Sequence, residues 1–398
     1  MPTVQTADKW RRILGLRQGA PEAALESAFE NAEGIGAKER VWRAREALEK
    51  LVKDRFGNDP GLLAAAREIT LTGAQAIDVL ELDDGTEPSE DELSALEAVV
   101  SFDGTRPSFL VKQNEVDFDS SFNTGAWRSD LNNYLPKLSP LFACTGRVEL
   151  GETLIGTAFL VTPNLAMTNR HVAQAIARFT PGEIELKPGV HLDFGREEWD
   201  GRKSFDRREV ESVAFAGASA IVSPLDHHKL DLAVLRVSAS ALAGDLGQRR
   251  LTTHHIDSSS FAAAPYVATV GYPSNPEVFA PQSIRSRFDD ILKRLLEGDG
   301  GSKRFAPGTP SESSVVDASV TWTVCHDATT INGNSGSPVL TLSGAGVATV
   351  RLAGLHYGGS WGGERVNWAH LLSATGGGAG HAVGSTFADF CRTEGIAF

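Results

Sequence analysis

From about residue 140 onward the chain breaks into short apolar runs parted by Gly, Pro, Asn and Ser. The runs are Leu154–Val161, Val213–Val222, Leu232–Val237, Tyr266–Val270, Val315–Val324, Pro338–Leu342 and Val347–Leu355. Segments so short, interrupted so often by turn-forming residues, leave little room for long helices. They predict an all-β barrel or sandwich. One stretch departs from this texture. Ser283 to Glu297 sets Ile284, Phe288, Ile291, Leu292 and Leu295 on one side of a helix, so a helical insertion is expected at 283–297. A loop rich in Gly and Ser is expected at 298–314, and a short helix near Phe387–Arg392 closes the chain.

The first hundred residues read differently. Ala37 to Phe56 lines up Val41, Ala44, Leu48, Leu51 and Val52 at helical spacing, with Glu39/Arg43, Glu46/Lys50 and Glu49/Lys53 four apart on the other faces. Gly57 stands where a left-handed helix stop is wanted. Asp59-Pro60 opens a second helix carrying Leu62, Leu63, Ala66 and Ile69. Ser89 and Glu92 form a capping box ahead of Leu93, Leu96 and Val100. With Pro21–Phe29 these segments predict a small helical bundle.

Charge follows the same division. Residues 1–130 hold 15 Lys+Arg and 25 Asp+Glu, net −10, and the remaining 268 residues hold 23 and 26, net −3. The expected organisation is an acidic helical adaptor or regulatory region at 1–104, a linker at 105–137 and an all-β unit at 138–398. Between residues 69 and 105 there are ten acidic residues and no Lys or Arg, read first as a solvated acidic face or loop. The overall balance of −13 argues against nucleic acid or an anionic membrane surface as the main partner. No apolar run approaches the roughly 20 residues that span a bilayer, and the N-terminus lacks a secretory h-region. Cys144, Cys325 and Cys391 are too few and too scattered for a disulfide framework or a zinc cage. A cytoplasmic, reduced protein is expected.

Three segments carry chemistry. Leu165-Ala-Met-Thr-Asn-Arg-His171-Val ends a β-like run in a polar turn that presents a histidine. Leu230-Asp231-Leu-Ala-Val-Leu opens an otherwise apolar strand with an acid. Asn332-Gly-Asn-Ser335-Gly-Ser-Pro338 sets a serine among glycines, where the backbone can turn tightly and aim its N–H groups at one spot. A serine hydroxyl needs an adjacent base to become a nucleophile. A histidine titrates in the range for that task, and a carboxylate fixes its tautomer. Each piece alone is common. The order His, Asp, Ser, with gaps of 60 and 104 residues (171 to 231 to 335), differs from the Ser, Asp, His order of α/β-hydrolases.

Taken with Gly156-Thr-Ala-Phe-Leu-Val161, these motifs resemble the core motifs of trypsin-like serine peptidases, nearest the bacterial V8-like glutamyl endopeptidases and the HtrA-like group. The resemblance covers residues 138–372. It implies a double six-stranded β-barrel with the active site between the barrels, which with the helical bundle ahead of it makes a multi-domain chain. It implies His171 as general base, Asp231 as its orienter, Ser335 as nucleophile, and the N–H groups of Gly333 and Ser335 as the oxyanion hole. Asn334 stands where zymogen-type trypsins carry an aspartate that pairs with a newly cut N-terminus, so that switch is not expected.

The resemblance also marks a primary pocket. Trypsin-like enzymes that cut after Arg or Lys carry an aspartate six residues before the nucleophile, and Thr329 stands there. Asp327 fits a structural role. Ala353-Gly-Leu-His356-Tyr-Gly-Gly359 resembles the strand bordering the pocket. Glutamyl endopeptidases place a histidine where His356 lies and a hydroxyl where Thr330 lies, and such a pair can bind an acidic P1 side chain. The competing reading makes His356 a satisfied barrel histidine. On an acidic preference, the segment 78–103 becomes a self-cleavage or occluding sequence. The pairs His227-His228 and His254-His255 read as exposed loop histidines, since no Cys or acid stands at metal-ligand spacing.

Two functions follow. The first is a serine endopeptidase acting on protein or peptide substrates without cofactor or metal, recruited or restrained by a protein partner at residues 1–104, in a bacterial signalling or defence setting by analogy of fold. The second is a catalytically silent scaffold acting through the helices. An intact His171, Asp231 and Ser335 argues for the first.

Overall fold

The computed structural model describes residues 10, 37–82, 86–102, 106–118, 124, 126–197, 206–222, 225–240, 261–273, 301–312, 316–317, 319–330, 333–344, 347–359, 366–382 and 384–396. The helix expected at Pro21–Phe29, the insertion at 283–297 and the pair His254-His255 lie outside these residues.

Helix α1 (Ala37–Phe56) buries the expected stripe, with Ala44, Leu48, Leu51 and Val52 out of solvent. It ends at Gly57 and Asn58, both left-handed at φ +61° and +65°, a conformation glycine takes without steric cost. Asp59 then caps α2 (Pro60–Leu82) by accepting the Leu62 N–H at 2.9 Å. The capping box of α3 (Glu90–Phe102) is formed in both directions, Ser89 N–H to Glu92 at 2.7 Å and Glu92 N–H to Ser89 Oγ at 3.3 Å. Leu48, Leu51, Ala66, Ile69, Ala95 and Val99 share one core across the three helices. Of the acidic stretch, Asp78 and Glu81 on α2 are solvent-facing.

Residues 105–137 do more than link. β1 (Phe109–Lys112) and β2 (Glu115–Asp117) form a hairpin through Gln113 and Asn114, both at positive φ. Helix α4 (Trp127–Asp130) buries Trp127 completely, its ring T-shaped to Tyr266 at 5.2 Å. Helix α5 (Leu135–Cys144) leads into the first barrel.

That barrel is built from β3 (Thr145–Leu150), β4 (Thr153–Thr162), β5 (Leu165–Thr168), β8 (Val190–Asp193), β9 (Arg207–Ala216) and β10 (Ala233–Val237), closed in the order β10-β5-β4-β3-β8-β9. Helix α6 (Arg170–Ile176) leaves β5, and β6 (Ala177–Thr180) pairs with β7 (Glu183–Leu186) beside it. The run Val213–Val222 does not stay a strand to its end. β9 stops at Ala216, and Gly217 beyond it forms an isolated bridge with Gly380, at a point where a Cβ would come within 2.0 Å of the Leu230 carbonyl.

The second unit contains β11 (Tyr266–Gly271), β12 (Arg304–Gly308), β13 (Pro310–Ser311), β14 (Thr323–His326), β15 (Pro338–Ser343), β16 (Thr349–Gly359) and β17 (Asn367–Leu371). The order is β13-β14-β17-β16-β15-β11-β12, with β1 and β2 added outside β12. Only Thr309 separates β12 from β13. One bent chain segment therefore pairs with β11 at its start and β14 at its end, closing a six-membered ring. The expected loop at 298–314 is thus partly strand. Phe305 is fully buried there, and Gly308 is needed because a Cβ would lie 2.5 Å from the Ala328 backbone. Among the described residues of the run Val315–Val324, strand begins only at Thr323 and runs to His326; Asp317 takes the Ser319 N–H at 2.7 Å in a turn ahead of it. Helix α7 (Phe387–Glu394) packs Phe387 on Phe215 of the first barrel at 5.3 Å.

One apolar core runs through both barrels, joining Phe159, Leu235, Val270, Phe305, Leu340 and Leu355. Lys303 crosses it. Its fully buried ammonium donates to the carbonyls of Phe142 (2.7 Å) and Phe194 (3.0 Å) and pairs with Glu197 at 2.8 Å. Removing one partner of a buried pair strands the other, so Lys303→Met is expected to lower unfolding stability by about 3–5 kcal/mol in urea titrations. A change within experimental error would show that this junction carries no such burden.

Candidate active site

Ser335 sits in a turn between two glycines of positive φ, Gly333 at +96° and Gly336 at +89°. Gly336 admits no side chain, since a Cβ would stand 1.9 Å from the Thr157 carbonyl. The turn is pinned to β4 by one residue. The Thr157 N–H donates to the Ser335 carbonyl at 2.8 Å, and the Thr157 hydroxyl donates to the Gly333 carbonyl at 2.8 Å while accepting the Tyr272 N–H at 3.0 Å. Thr168 Oγ donates to the Thr157 carbonyl at 2.7 Å, so every polar group of Thr157 is engaged. On its other side the turn is paired to β16: Gly336 N–H meets the His356 carbonyl and His356 N–H the Ser337 carbonyl, both at 2.9 Å.

His171 lies in the first turn of α6. The polar Asn169 ends β5 in extended geometry and lets the helix begin; its amide donates to the Asp231 carbonyl at 2.9 Å. Asp231 sits just before β10, its side chain closed from solvent. Its two oxygens receive the His171 N–H at 2.9 Å and the His171 ring at Nδ1 at 2.7 Å. The histidine is thereby held by backbone and ring at once. Burial opposes ionisation of Asp231, yet the His171 charge and hydrogen bonds outweigh it and leave the carboxyl below its usual range. Arg170, next in sequence, reaches away: it donates to the Gly217 carbonyl at 3.0 Å and stacks over Phe179 at 3.3 Å.

The segments of His171 and Ser335 meet at Gly156 and Thr157. A Cβ at Gly156 would meet Val172 at 2.8 Å and the Ser335 carbonyl at 3.1 Å, so the helix of His171 and the turn of Ser335 rest against the same strand backbone. Among the described residues no hydrogen bond joins the His171 ring to the Ser335 hydroxyl; such contacts commonly tighten only with substrate bound. The arrangement supplies a base fixed in orientation, a hydroxyl half-open to solvent and a tight glycine turn, the parts needed for acyl transfer.

The residues expected to line a primary pocket are held in three ways. The Thr330 hydroxyl donates to Asn367 Oδ1, Asn367 donates to the Ala328 carbonyl at 2.7 Å, and Gly359 leaves room for the Asn367 side chain, where a Cβ would stand 2.6 Å from Oδ1. Thr329 instead donates to the Arg106 carbonyl at 2.7 Å. The His356 ring is buried, 5.5 Å from that of His326, and its Nδ1 has no hydrogen-bond partner among the described residues. Burial, with His326 and His171 nearby, holds it neutral.

The sequence reading passed over several supporting residues. His370 on β17 accepts the Asp231 N–H at 2.9 Å through Nε2 and stacks on Tyr357 at 4.3 Å. His227 is not the exposed loop histidine expected. It is half-buried, its Nδ1 2.8 Å from the Tyr357 hydroxyl and its ring T-shaped to Trp368 at 4.8 Å, whereas His228 is exposed. Thr157 lies inside a quoted motif, though its role was not read there. His370, Asn367 and Arg106 leave no local signal, because their partners are remote in sequence.

Burial pushes His370 down to about 4. Below the ordinary histidine value near 6.5, the unfolded chain binds a proton that the native one refuses. Stability should therefore fall as pH drops from about 6.5 to about 4, by a His370 share of about 3 kcal/mol. Urea unfolding at pH 7.5 and 4.5 should show a smaller difference for His370→Gln than for the wild type. Equal differences would mean the ring titrates freely.

Comparison with known proteins gives three findings. Residues 156–348 match the family model of the trypsin-like peptidase domain. A probable serine protease of Lysobacter enzymogenes is 29% identical over 316 residues, covering 75% of this chain and 78% of that protein. The solved structure of neuropsin, a serine protease expressed in the limbic system of mouse brain, aligns with 58% of this chain and 90% of its own, at 15% identity and a TM-score of 0.37.

Proposed function

With a trypsin-like serine peptidase domain over residues 156–348, the chain is a serine endopeptidase, and we propose that Ser335, His171 and Asp231 form its catalytic triad. Ser335 Oγ attacks the scissile carbonyl carbon while His171 Nε2 takes its proton. The N–H groups of Gly333 and Ser335 receive the oxyanion. His171 returns the proton to the leaving amine, and water admitted to the acyl-enzyme repeats the exchange to release the new carboxylate. The observation that carries this reading is the double hold of buried Asp231 on His171, at 2.9 and 2.7 Å. It fixes the Nδ1–H tautomer and leaves Nε2 to act as base.

A serine-directed fluorophosphonate tests it. Labelling of the wild type that vanishes in Ser335→Ala is the expected result, together with a fall of about 10⁴-fold in peptide turnover for Asp231→Asn. Ser335→Ala retaining full peptidase activity would place the chemistry elsewhere. A wild type that neither labels nor cleaves would favour the silent scaffold.

The proposed primary specificity is an acidic P1 side chain. Thr329, Thr330, His356 and Gly359 line the proposed pocket. An entering carboxylate would supply the charge partner that the buried His356 ring lacks, and Thr330 would add a hydroxyl now given to Asn367. A peptide library varied at P1 should be enriched in Glu and Asp, with the enrichment lost in His356→Ala. A profile indifferent to acidic residues overturns the acidic preference while leaving the triad untouched.

The proposed role of the helical region, residues 1–104, is to recruit or restrain the peptidase through a protein partner. Cytoplasmic placement and a part in bacterial signalling or defence belong to the same proposal. Cys144, Cys325 and Cys391 are buried and no disulfide joins them, as suits a reducing compartment.

A further inference from the structure

The four residues that run from β14 toward the serine turn are held by two clamps. Ala328 and Thr330 are held by Asn367, which belongs to the barrel itself. Asp327 and Thr329 are held by Arg106, which does not. Its guanidinium donates to Asp327 Oδ2 at 2.7 Å and its carbonyl receives the Thr329 hydroxyl at 2.7 Å. The ion pair is nearly closed from water, with side chains 9% and 8% exposed. Asp327 uses its other oxygen to take the Thr309 N–H, at 2.6 Å, and its Oδ2 accepts the Thr309 hydroxyl at 2.9 Å. The same clamp thus fixes the bend that closes the second barrel. At its own backbone, Arg106 donates its N–H to the carbonyl of Val100, in the last turn of α3, at 2.9 Å.

We propose that Arg106 is a positioning residue for the primary specificity pocket, through which the helical bundle sets how the Thr329–Thr330 wall is presented to substrate. The inference rests on the peptidase reading above and adds its control. A charged group shielded from water and joined to a carboxylate holds its partner more firmly than an exposed pair does. Two anchor points from one residue fix both the place and the direction of the wall. Because Arg106 follows the helices by only a few residues, a partner that shifts α3 pulls on this anchor directly. Loosening it frees residues 327–330, while the Asp231–His171 pair, held entirely from the first barrel and β17, keeps its geometry.

The test compares full-length wild type with Arg106→Ala and Arg106→Lys by amide hydrogen exchange and by cleavage of tetrapeptides differing only at P1. Arg106→Ala should speed exchange across residues 323–336 by about tenfold to a hundredfold, the range for losing a charged hydrogen bond. Exchange across 165–176 should stay unchanged. Its P1 profile should flatten by a similar factor, with Arg106→Lys between the two. A global loss of stability would move both exchange segments and leave the P1 ratios intact; that outcome, or unchanged exchange at 323–336, overturns the proposal. Should Arg106→Ala not fold, Thr329→Val removes only the hydroxyl given to the Arg106 carbonyl and must still flatten the profile. A wild type without Ser335-dependent hydrolysis would count against the peptidase reading, and the exchange comparison would still decide the clamp.

Discussion

Thr157 holds the molecule's two halves in register at the point where chemistry is expected. A threonine on β4 of the first barrel takes up the Gly333 and Ser335 carbonyls of the serine turn, which belongs to the second. Its hydroxyl is used as donor and acceptor at once, and its carbonyl is occupied by Thr168. Buried polar groups so fully matched specify a single arrangement, because sliding either barrel would strand several of them together. The apolar core that runs through both barrels supplies cohesion. Cohesion is non-directional, and the chemistry proposed for His171 and Ser335 needs directional contacts such as these to hold the two segments in place.

The same logic governs the buried charges. Asp231 is matched by His171 and its own N–H by His370. Arg208 meets Asp206 through Nε at 3.0 Å, with a second contact from Nη2 at 3.1 Å. Lys303 joins carbonyls from two elements of the first half to Glu197. For Asp231 and Lys303 the charge lies where segments distant in sequence meet, so its cost of desolvation is offset by fixing a junction that apolar packing alone would leave adjustable. Arg106 with Asp327 extends this pattern beyond the peptidase fold to the segment that follows the helices.

How much of this was legible follows from how local each determinant is. The helices α1 to α3 announce themselves, since Leu48, Leu51 and Val52 repeat at helical spacing and Ser89 caps with Glu92 three residues on. The residues proposed as a triad can be picked out because each stands in a short motif of its own, an acid opening a strand or a serine between glycines. What was hidden depends on tertiary contact. Residues 304–311 carry Pro307, Gly308 and Pro310, which read as loop, and only the backbone of Ala328 pressed against Gly308 explains a strand there. The hairpin of β1 and β2 is short and nearly half polar, so its pattern is weak until β12 is seen beside it. His370 and Asn367 act through partners on other segments of the chain, a relation that no single stretch of sequence displays.

The placement of β1 along β12 has a consequence for dissecting the protein. Phe109 and Leu110 face Phe305 and Arg304 across that ladder, and the Val111 N–H binds the Lys303 carbonyl. A fragment trimmed to begin at residue 138 would keep every motif of the peptidase yet lose this outer ribbon. It would expose a row of unsatisfied main-chain donors and acceptors beside fully buried Phe305, an invitation to self-association. The minimal soluble unit is therefore longer at its start than the catalytic motifs suggest.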